Sequence, residues 1–288
     1  MSDHAAAGAD ARVQVQVVLY NSGPKLTKLV RGLDQLEPPD GGMTVRFLNN
    51  RPGDGCEELL TTLAPTFSHT YSDAPHNLGF GRGHNHLAED ATAEYLWLLN
   101  PDTIPFYDCL RTLVGAAEAQ PRAALIEAAQ FPIEHPKVYD DDGATNWCSA
   151  AALLVRREAF RQLGGFDESL FLYGEDVDLS WRAWLAGWRC IYVPTARCCH
   201  ITQVHDHGKD RWSELRWMRL AELWLRARHF GSGSVDEFDQ VLEGELSAED
   251  LAWVRAEFTS IRPTRLEASS HPRIEVTPEA GRYAAFRW

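Results

Sequence analysis

The sequence predicts an α/β protein built on a mostly parallel sheet with helices laid over it. Three observations carry that prediction. Short apolar runs alternate with stretches whose apolar residues recur at helical spacing. Clusters of Gly, Pro, Asn and Asp separate one run from the next. Polar residues follow the apolar runs on their carboxyl side, where open sheets of this kind bind ligands.

The elements follow in order. Residues 13–20 alternate and then turn fully apolar, as a strand entering a sheet does. Asn21, Ser22, Gly23 and Pro24 break that run, and residues 25–36 carry Leu26, Leu29, Val30 and Leu33 at helical spacing. Residues 43–48 read as a second strand, 57–63 as a helix and 66–71 as a short third strand. A glycine-rich turn at 77–83 leads into a predicted helix over 84–93. The apolar run 95–99 ends in Asn100, Pro101 and Asp102, and 109–119 reads as another helix. The second half is less regular. An acidic loop at 140–143 precedes an apolar stretch at 147–155, then helices at 156–163 and 175–186 and a strand at 190–193. A long helix rich in Trp and Arg spans 211–229, and the segment beyond Gly231 reads as a polar tail.

Composition narrows the function. The 288 residues are 44% apolar and 24% charged, which excludes wholesale disorder, collagen-like repeats and a disulfide-dominated miniprotein. A net charge of −13 argues against a general nucleic-acid binder, but not against a small anionic ligand held by backbone N–H groups and one arginine. No run approaches the roughly 20 apolar residues that span a bilayer. Residues 1–12 lack the basic start and apolar run of a secretory signal and read as a tail. The six cysteines, Cys56, Cys109, Cys148, Cys190, Cys198 and Cys199, form no C-x-x-C pair. Reduced thiols and a cytoplasmic location are the expectation.

Four groups could carry chemistry. In the turn Asn77, Leu78, Gly79, Phe80, Gly81, Arg82, Gly83, His84, Asn85, three alternating glycines let backbone approach a ligand, and Arg82 could pair with phosphate. Asp102, after an apolar strand, suits a hard divalent cation, although Asn-Pro-Asp is also good turn chemistry. Five acids lie between Asp167 and Asp178, with Glu175 and Asp176 at a predicted helix start. There the dipole favours the ionised form that a general base requires; ordinary capping is the plainer alternative. His200, His205 and His207 close the region, and the i, i+2 spacing of the last two does not suit one helix face.

Taken in order, these pieces resemble the inverting glycosyltransferases of family 2, with the GT-A fold. Within that family the likeness is to the rhamnosyltransferase-type enzymes of bacterial surface polysaccharide assembly. It covers residues 13–207, through Tyr20-Asn21, the 77–85 turn, Asn100-Pro101-Asp102, Gly164-Gly165-Phe166-Asp167-Glu168, Tyr173-Gly174-Glu175-Asp176, Val193-Pro194 and His200. The resemblance implies a catalytic domain over 13–207 and a C-terminal helical extension and tail over 208–288. It implies that Tyr20, Asn21 and Asn49 contact the nucleotide and that Asn77, Gly79, Arg82 and Asn85 line the donor pocket. Asn100 and Asp102 take the place of an Asp-x-Asp motif, with Asp102 meeting Mg²⁺ or Mn²⁺ and the diphosphate. His200 completes the metal site in some relatives. Asp176, with Glu175 beside it, matches the catalytic base, and Trp147 and Ser149 fall where the family lines the sugar and acceptor pocket.

The expected reaction is inverting transfer of a sugar, from dTDP-rhamnose or a UDP-hexose, to a glycan or lipid-linked acceptor in surface polysaccharide synthesis. Two positions depart from the pattern: Asn49 stands where the family has a base-reading aspartate, and Asn100 replaces the first acid of Asp-x-Asp. Those losses motivate the alternative of a degenerate, non-catalytic sugar-nucleotide-binding subunit. A nucleotidyltransferase fits less well, since residues 21–24 carry no glycine-rich basic signature. The 211–229 helix has two readings, peripheral contact with the inner membrane face or packing on the catalytic domain; its Trp and Leu stripe favours packing.

Overall fold

The computed structural model describes residues 11–132, 137–201, 211–266 and 271–274. His205 and His207 lie outside them. The first half runs β1 (Val13–Leu19), α1 (Gly23–Asp34), β2 (Met43–Asn49), α2 (Cys56–Leu63), β3 (His69–Asp73), α3 (Gly81–Ala88), β4 (Tyr95–Leu99), β5 (Thr103–Pro105) and α4 (Cys109–Ala119). The second half runs β6 (Ala123–Phe131), β7 (Ala152–Arg156), α5 (Arg157–Leu163), α6 (Glu175–Leu185) and β8 (Arg189–His200). Three helices follow: α7 (Arg211–His229), α8 (Ser232–Glu245) and α9 (Ala248–Ile261).

One eight-stranded sheet has the order β3-β2-β1-β4-β7-β6-β8-β5. The strands β3, β2, β1 and β4 are mutually parallel, β7 runs antiparallel between β4 and β6, and β5 pairs antiparallel with the end of β8. Alternation along the strands sorts side chains to two faces. Val13, Val15, Val17, Trp97 and Leu99 meet Leu26, Leu29 and Leu33 of α1 and Leu113 of α4. Leu96, Leu98, Leu153 and Val155 meet Phe160 of α5 and Leu179 of α6 on the other face. The parallel strands β1, β2 and β4 end on one side of the sheet, with Tyr20, Asn49 and Asn100 at those ends.

Several boundaries depart from the sequence reading. The helix expected over 84–93 starts at Gly81 and ends at Ala88, so two of the three glycines of the turn lie inside it. A Cβ on Gly83 would stand 2.9 Å from the Val18 side chain, so the missing side chain lets α3 lie flat on β1. Strand β6 was not legible: its run Ala-Ala-Leu-Ile-Glu-Ala-Ala-Gln-Phe is rich in alanine, a poor strand former. It is a strand because its eight leading residues are buried between β7 and β8, where packing overrides propensity. The polar tail read beyond Gly231 contains two helices, α8 and α9, which enclose a core of their own with α7: Leu220, Leu223, Val235, Phe238, Leu242, Val254 and Phe258.

The Trp and Leu stripe of α7 is thus packed. Trp224 and Leu225 also bury against Val177 and Trp181 of α6 and against Leu170 just before it. No helix among the described residues is long and apolar enough to cross a membrane. All six cysteines are free thiols; five are buried and Cys199 is half-buried.

Candidate active site

At the carboxyl end of β4 the chain turns through Asn100 and Asp102 and enters β5. The turn is closed by Thr103, whose N–H and hydroxyl both donate to the Asn100 carbonyl, at 3.1 and 2.7 Å. Because β5 pairs with the end of β8, Thr103 stands opposite His200. That pairing brings Asp102 Oδ1 to 3.4 Å from His200 Nε2 across 98 residues of sequence. Asn100 Nδ2 lies 3.5 Å from the same nitrogen, and Lys25 Nζ of α1 stands 3.9 Å from Asp102 Oδ2. Burial pushes the Asp102 carboxyl up, but His200 and Lys25 outweigh it and hold it below the usual carboxylate range.

This pair fits a divalent cation. Two ligands on adjacent corners of an octahedron with bonds of about 2.1 Å stand about 3 Å apart. The carboxylate and imidazole are here 3.4 Å apart. No cluster of three His, Cys, Asp or Glu occurs among the described residues. Among the described residues, Asp102 and His200 are the pair whose spacing suits such a cation.

The second acid group lies on α6. Asp176 Oδ2 accepts from the Ala150 N–H at 3.1 Å and Oδ1 from the Val177 N–H at 2.9 Å. Two backbone donors at a helix start favour a carboxylate. Its neighbour Glu175 is buried, its Oε2 has no hydrogen-bond partner among the described residues, and burial together with the Asp176 charge pushes its carboxyl up to about 8. Burial thus disfavours a charge on Glu175, while two backbone N–H groups favour one on Asp176.

One segment joins the two groups. Ala151 accepts from the Asn100 N–H at 2.9 Å, Ala150 donates to Asp176, and Ser149 N–H donates to Glu127 Oε2 at 2.9 Å. Three consecutive residues leading into β7 thus fix the β4 turn, the α6 carboxylate and a buried glutamate of β6. Trp147 precedes them, half-buried, with the Lys137 ammonium 3.9 Å above its ring.

Of the remaining predicted residues, Tyr20, Asn21 and Asn49 lie at the carboxyl ends of β1 and β2, and Asn77 to Asn85 lie in the turn before α3 and in α3 itself. Tyr20 is half exposed, with Arg51 over its ring. Asn21 has a left-handed backbone (φ 51°), and its N–H donates to Asp54 Oδ2. Asn49 is fully buried, and its amide donates to the Arg51 carbonyl, Asp54 Oδ1 and the Tyr71 hydroxyl. Its side chain is engaged in holding Asp54. Asn77 Oδ1 accepts from Gly79 N–H. Gly79 has φ +79°, and a Cβ there would lie 2.3 Å from the Phe171 carbonyl, so only glycine fits. Arg82 donates Nε to the Glu168 carbonyl, and Asn85 clasps the backbone N–H and C=O of Phe166. The 77–85 turn is thereby bound to the 166–171 loop that leads to α6.

Asp54, Glu127, Gln130 and Lys137 were not found by sequence reasoning. Each is an isolated polar residue in no motif; Asp54 meets Asn21 and Asn49, while Glu127 meets Gln130 and Lys137.

Comparison with known proteins decides the family. The profile of "Glycosyl transferase family 2" matches residues 15–163, and that of "Glycosyl transferase family group 2" matches residues 95–243. The chain belongs to glycosyltransferase family 2. The enzyme is similar to the N-acetylglucosaminyl-diphospho-decaprenol L-rhamnosyltransferase of Mycobacterium tuberculosis, with 29% identity over 75% of this chain and 85% of that one. It is also similar to the rhamnosyltransferase WbbL of Escherichia coli, with 28% identity over 48% of this chain and 66% of that one. Among solved structures, the mannosyltransferase PcManGT of Pyrobaculum calidifontis, in complex with GDP-Man and Mn²⁺, superposes with a TM-score of 0.59 at 16% identity, covering 87% of this chain and 80% of that one. S. aureus TarS 1–349, in complex with UDP-GlcNAc, gives 0.59 at 14% identity over 88% and 82%. The fold of this glycosyltransferase is GT-A.

Proposed function

We propose that this family 2 enzyme transfers rhamnose, with inversion, from a nucleoside diphosphate to a lipid-linked glycan in surface polysaccharide synthesis. The observation that carries the reading is the joint hold of the 149–151 segment on Asn100 and Asp176, which supports reading the β4 turn as the diphosphate site and Asp176 as the base. The relatives named as rhamnosyltransferases support the sugar, and the decaprenol-linked substrate in one of those names supports the acceptor. Such an acceptor puts the reaction at a membrane surface.

Asp102 and His200 would hold Mg²⁺ or Mn²⁺, which as a Lewis acid neutralises the leaving diphosphate. Lys25 adds a positive charge beside Asp102. Asp176 takes the proton of an acceptor hydroxyl as its oxygen attacks the anomeric carbon; the bond to the diphosphate breaks on the opposite face. Glu175, neutral, adds no second negative charge beside that base. Tyr20, Asn21 and Asp54 form the nucleotide edge, with Asn49 fixing Asp54. Trp147 and Ser149 face the acceptor. The loss of acids at 49 and 100 does not call for the non-catalytic alternative, because Asp54 supplies a carboxylate beside Asn49 and Asp102 keeps its imidazole partner.

The test is a transfer assay on a prenyl-diphosphate-linked N-acetylglucosamine acceptor with dTDP-rhamnose, UDP-hexoses or GDP-mannose, each with Mn²⁺ or with chelator. Rhamnosylated product of inverted configuration, lost with chelator, is expected. Transfer from a hexose donor alone refutes the sugar; no transfer from any donor, with nucleotide binding intact, restores the binding subunit.

A further inference from the structure

Behind the Asp102–His200 pair a buried chain of polar side chains leads away from the edge of the sheet. His200 Nδ1 lies 2.8 Å from Gln130 Oε1. Gln130 Nε2 lies 3.4 Å from Glu127 Oε1, three residues away on β6. Glu127 Oε2 accepts from Lys137 Nζ at 2.6 Å and from the Ser149 N–H. Glu127 is fully buried, Gln130 almost so, and the Lys137 side chain is 4% exposed.

The charged end sets the direction of every hydrogen bond. An ammonium only donates, and the carboxylate paired with it only accepts. Gln130 therefore turns its NH₂ to Glu127 and its carbonyl to the ring of His200. Turned the other way, the amide oxygen would face the carboxylate with no proton between them, at a buried site where such a mismatch is costly. A carbonyl accepts only, so Nδ1 keeps its proton, and Nε2 is the nitrogen that a ring with a single proton leaves free. That nitrogen is the one facing Asp102 Oδ1.

We propose that Gln130, Glu127 and Lys137 are positioning residues that hold His200 as its Nδ1–H tautomer, so that Nε2 is presented to a divalent cation shared with Asp102. The inference rests on the reading of Asp102 and His200 as a cation pair, and it adds three residues that touch neither cation nor substrate. Outer partners of this kind typically change metal affinity 10–100-fold when removed.

The experiment reads the nitrogen and the metal separately. Long-range ¹H–¹⁵N correlation of the histidine rings at pH 8.5 identifies the protonated nitrogen, with His200→Ala used only to assign the signal. A proton on Nδ1 in the wild type, and a mixture of tautomers in Gln130→Met, is the expected result. Mn²⁺ titration in the presence of dTDP, followed by electron paramagnetic resonance, should show a dissociation constant about 10–100-fold higher in Gln130→Met. The paired Glu127→Gln, Lys137→Met variant removes both charges together and should weaken Mn²⁺ in the same direction. Binding of dTDP without metal should stay within about twofold, since the relay does not reach the nucleotide edge. A bare Nδ1 in the wild type overturns the proposal without any variant, even if Gln130→Met does not fold. A folded Gln130→Met with wild-type tautomer and wild-type Mn²⁺ affinity overturns it too. A wild type that binds no Mn²⁺ with nucleotide defeats the cation reading, and with it the cation half of this proposal, whereas the tautomer is still decided by the spectrum.

Discussion

Asp176 and Glu175 are adjacent in sequence and opposite in chemistry. Asp176 is held by two backbone N–H groups at the start of α6, whereas Glu175 is buried with no partner for Oε2 among the described residues. Asp176→Asn should lower transfer by about 10²–10⁴-fold while leaving nucleotide affinity unchanged, as read by initial rates and calorimetry. Glu175→Gln mimics the neutral acid and should retain most of the activity. It should also change the pH dependence of stability. Between 4.5, the ordinary value, and about 8, the unfolded chain releases a proton that the folded chain keeps, so the wild type loses stability as pH rises through that window. Urea midpoints at pH 5 and pH 8 should differ less in Glu175→Gln than in the wild type. At this scale the motif residues were legible and their supports were not. The Asp-x-Asp likeness pointed to Asp102, and the late histidine pointed to His200. Nothing in the sequence marks Gln130 as the residue behind that histidine, since a lone glutamine in an alanine-rich run has no periodicity or partner to betray it.

The joint between α6 and α7 is the least expected contact between elements. Asp178 is fully buried, with His229 Nε2 at 2.9 Å and Arg182 Nε at 2.7 Å. Arg182 stands four residues on along the same helix, whereas the histidine comes from 51 residues away, a contact no local spacing in the sequence reveals. Burial pushes Asp178 up, but Arg182 and His229 more than offset it, and the carboxyl lies below its ordinary value. A depressed acid contributes its stability above the unfolded value and loses it as pH falls through the folded one. Asp178→Ala leaves the Arg182 guanidinium and the buried His229 ring without their shared acceptor and should cost about 3–5 kcal/mol. Denaturant unfolding should show that cost at pH 7 and a smaller one near pH 3. Boundaries follow the same lesson. The start of α3 moved to Gly81 because close packing on β1 rewards glycines that propensity alone would place outside a helix.

At the scale of the whole molecule, the α/β plan was readable because alternating apolar runs reflect a sheet covered on both faces. The C-terminal helices were not, because α8 and α9 carry acidic, polar sequences whose few apolar residues gain meaning only against α7. These helices are part of the catalytic unit's packing. Trp224 and Leu225 bury against Trp181 and Val177, and the same α6 carries Asp176. A chain ended at residue 210 should uncover that apolar surface and melt earlier than the full chain or fail to accumulate soluble, a point that expression and thermal unfolding would settle. The complete enzyme should gain thermal stability with dTDP and Mn²⁺ together, by more than with either alone, because ligand that binds only the native state raises the melting temperature.

The free cysteines give the fold an internal clock. Burial pushes the Cys56 thiol up to about 11 and Cys109 up to about 12, and Cys148 and Cys198 are raised as well. A thiol reagent at pH 8 acts on the thiolate, so those sites stay silent while the sheet is shut. Cys199, on β8 beside His200, is the one half-buried thiol. The colour developed by the native enzyme should therefore come first from Cys199. The slower appearance of the other five would then time, without any label, how often the strands part from the helices that cover them.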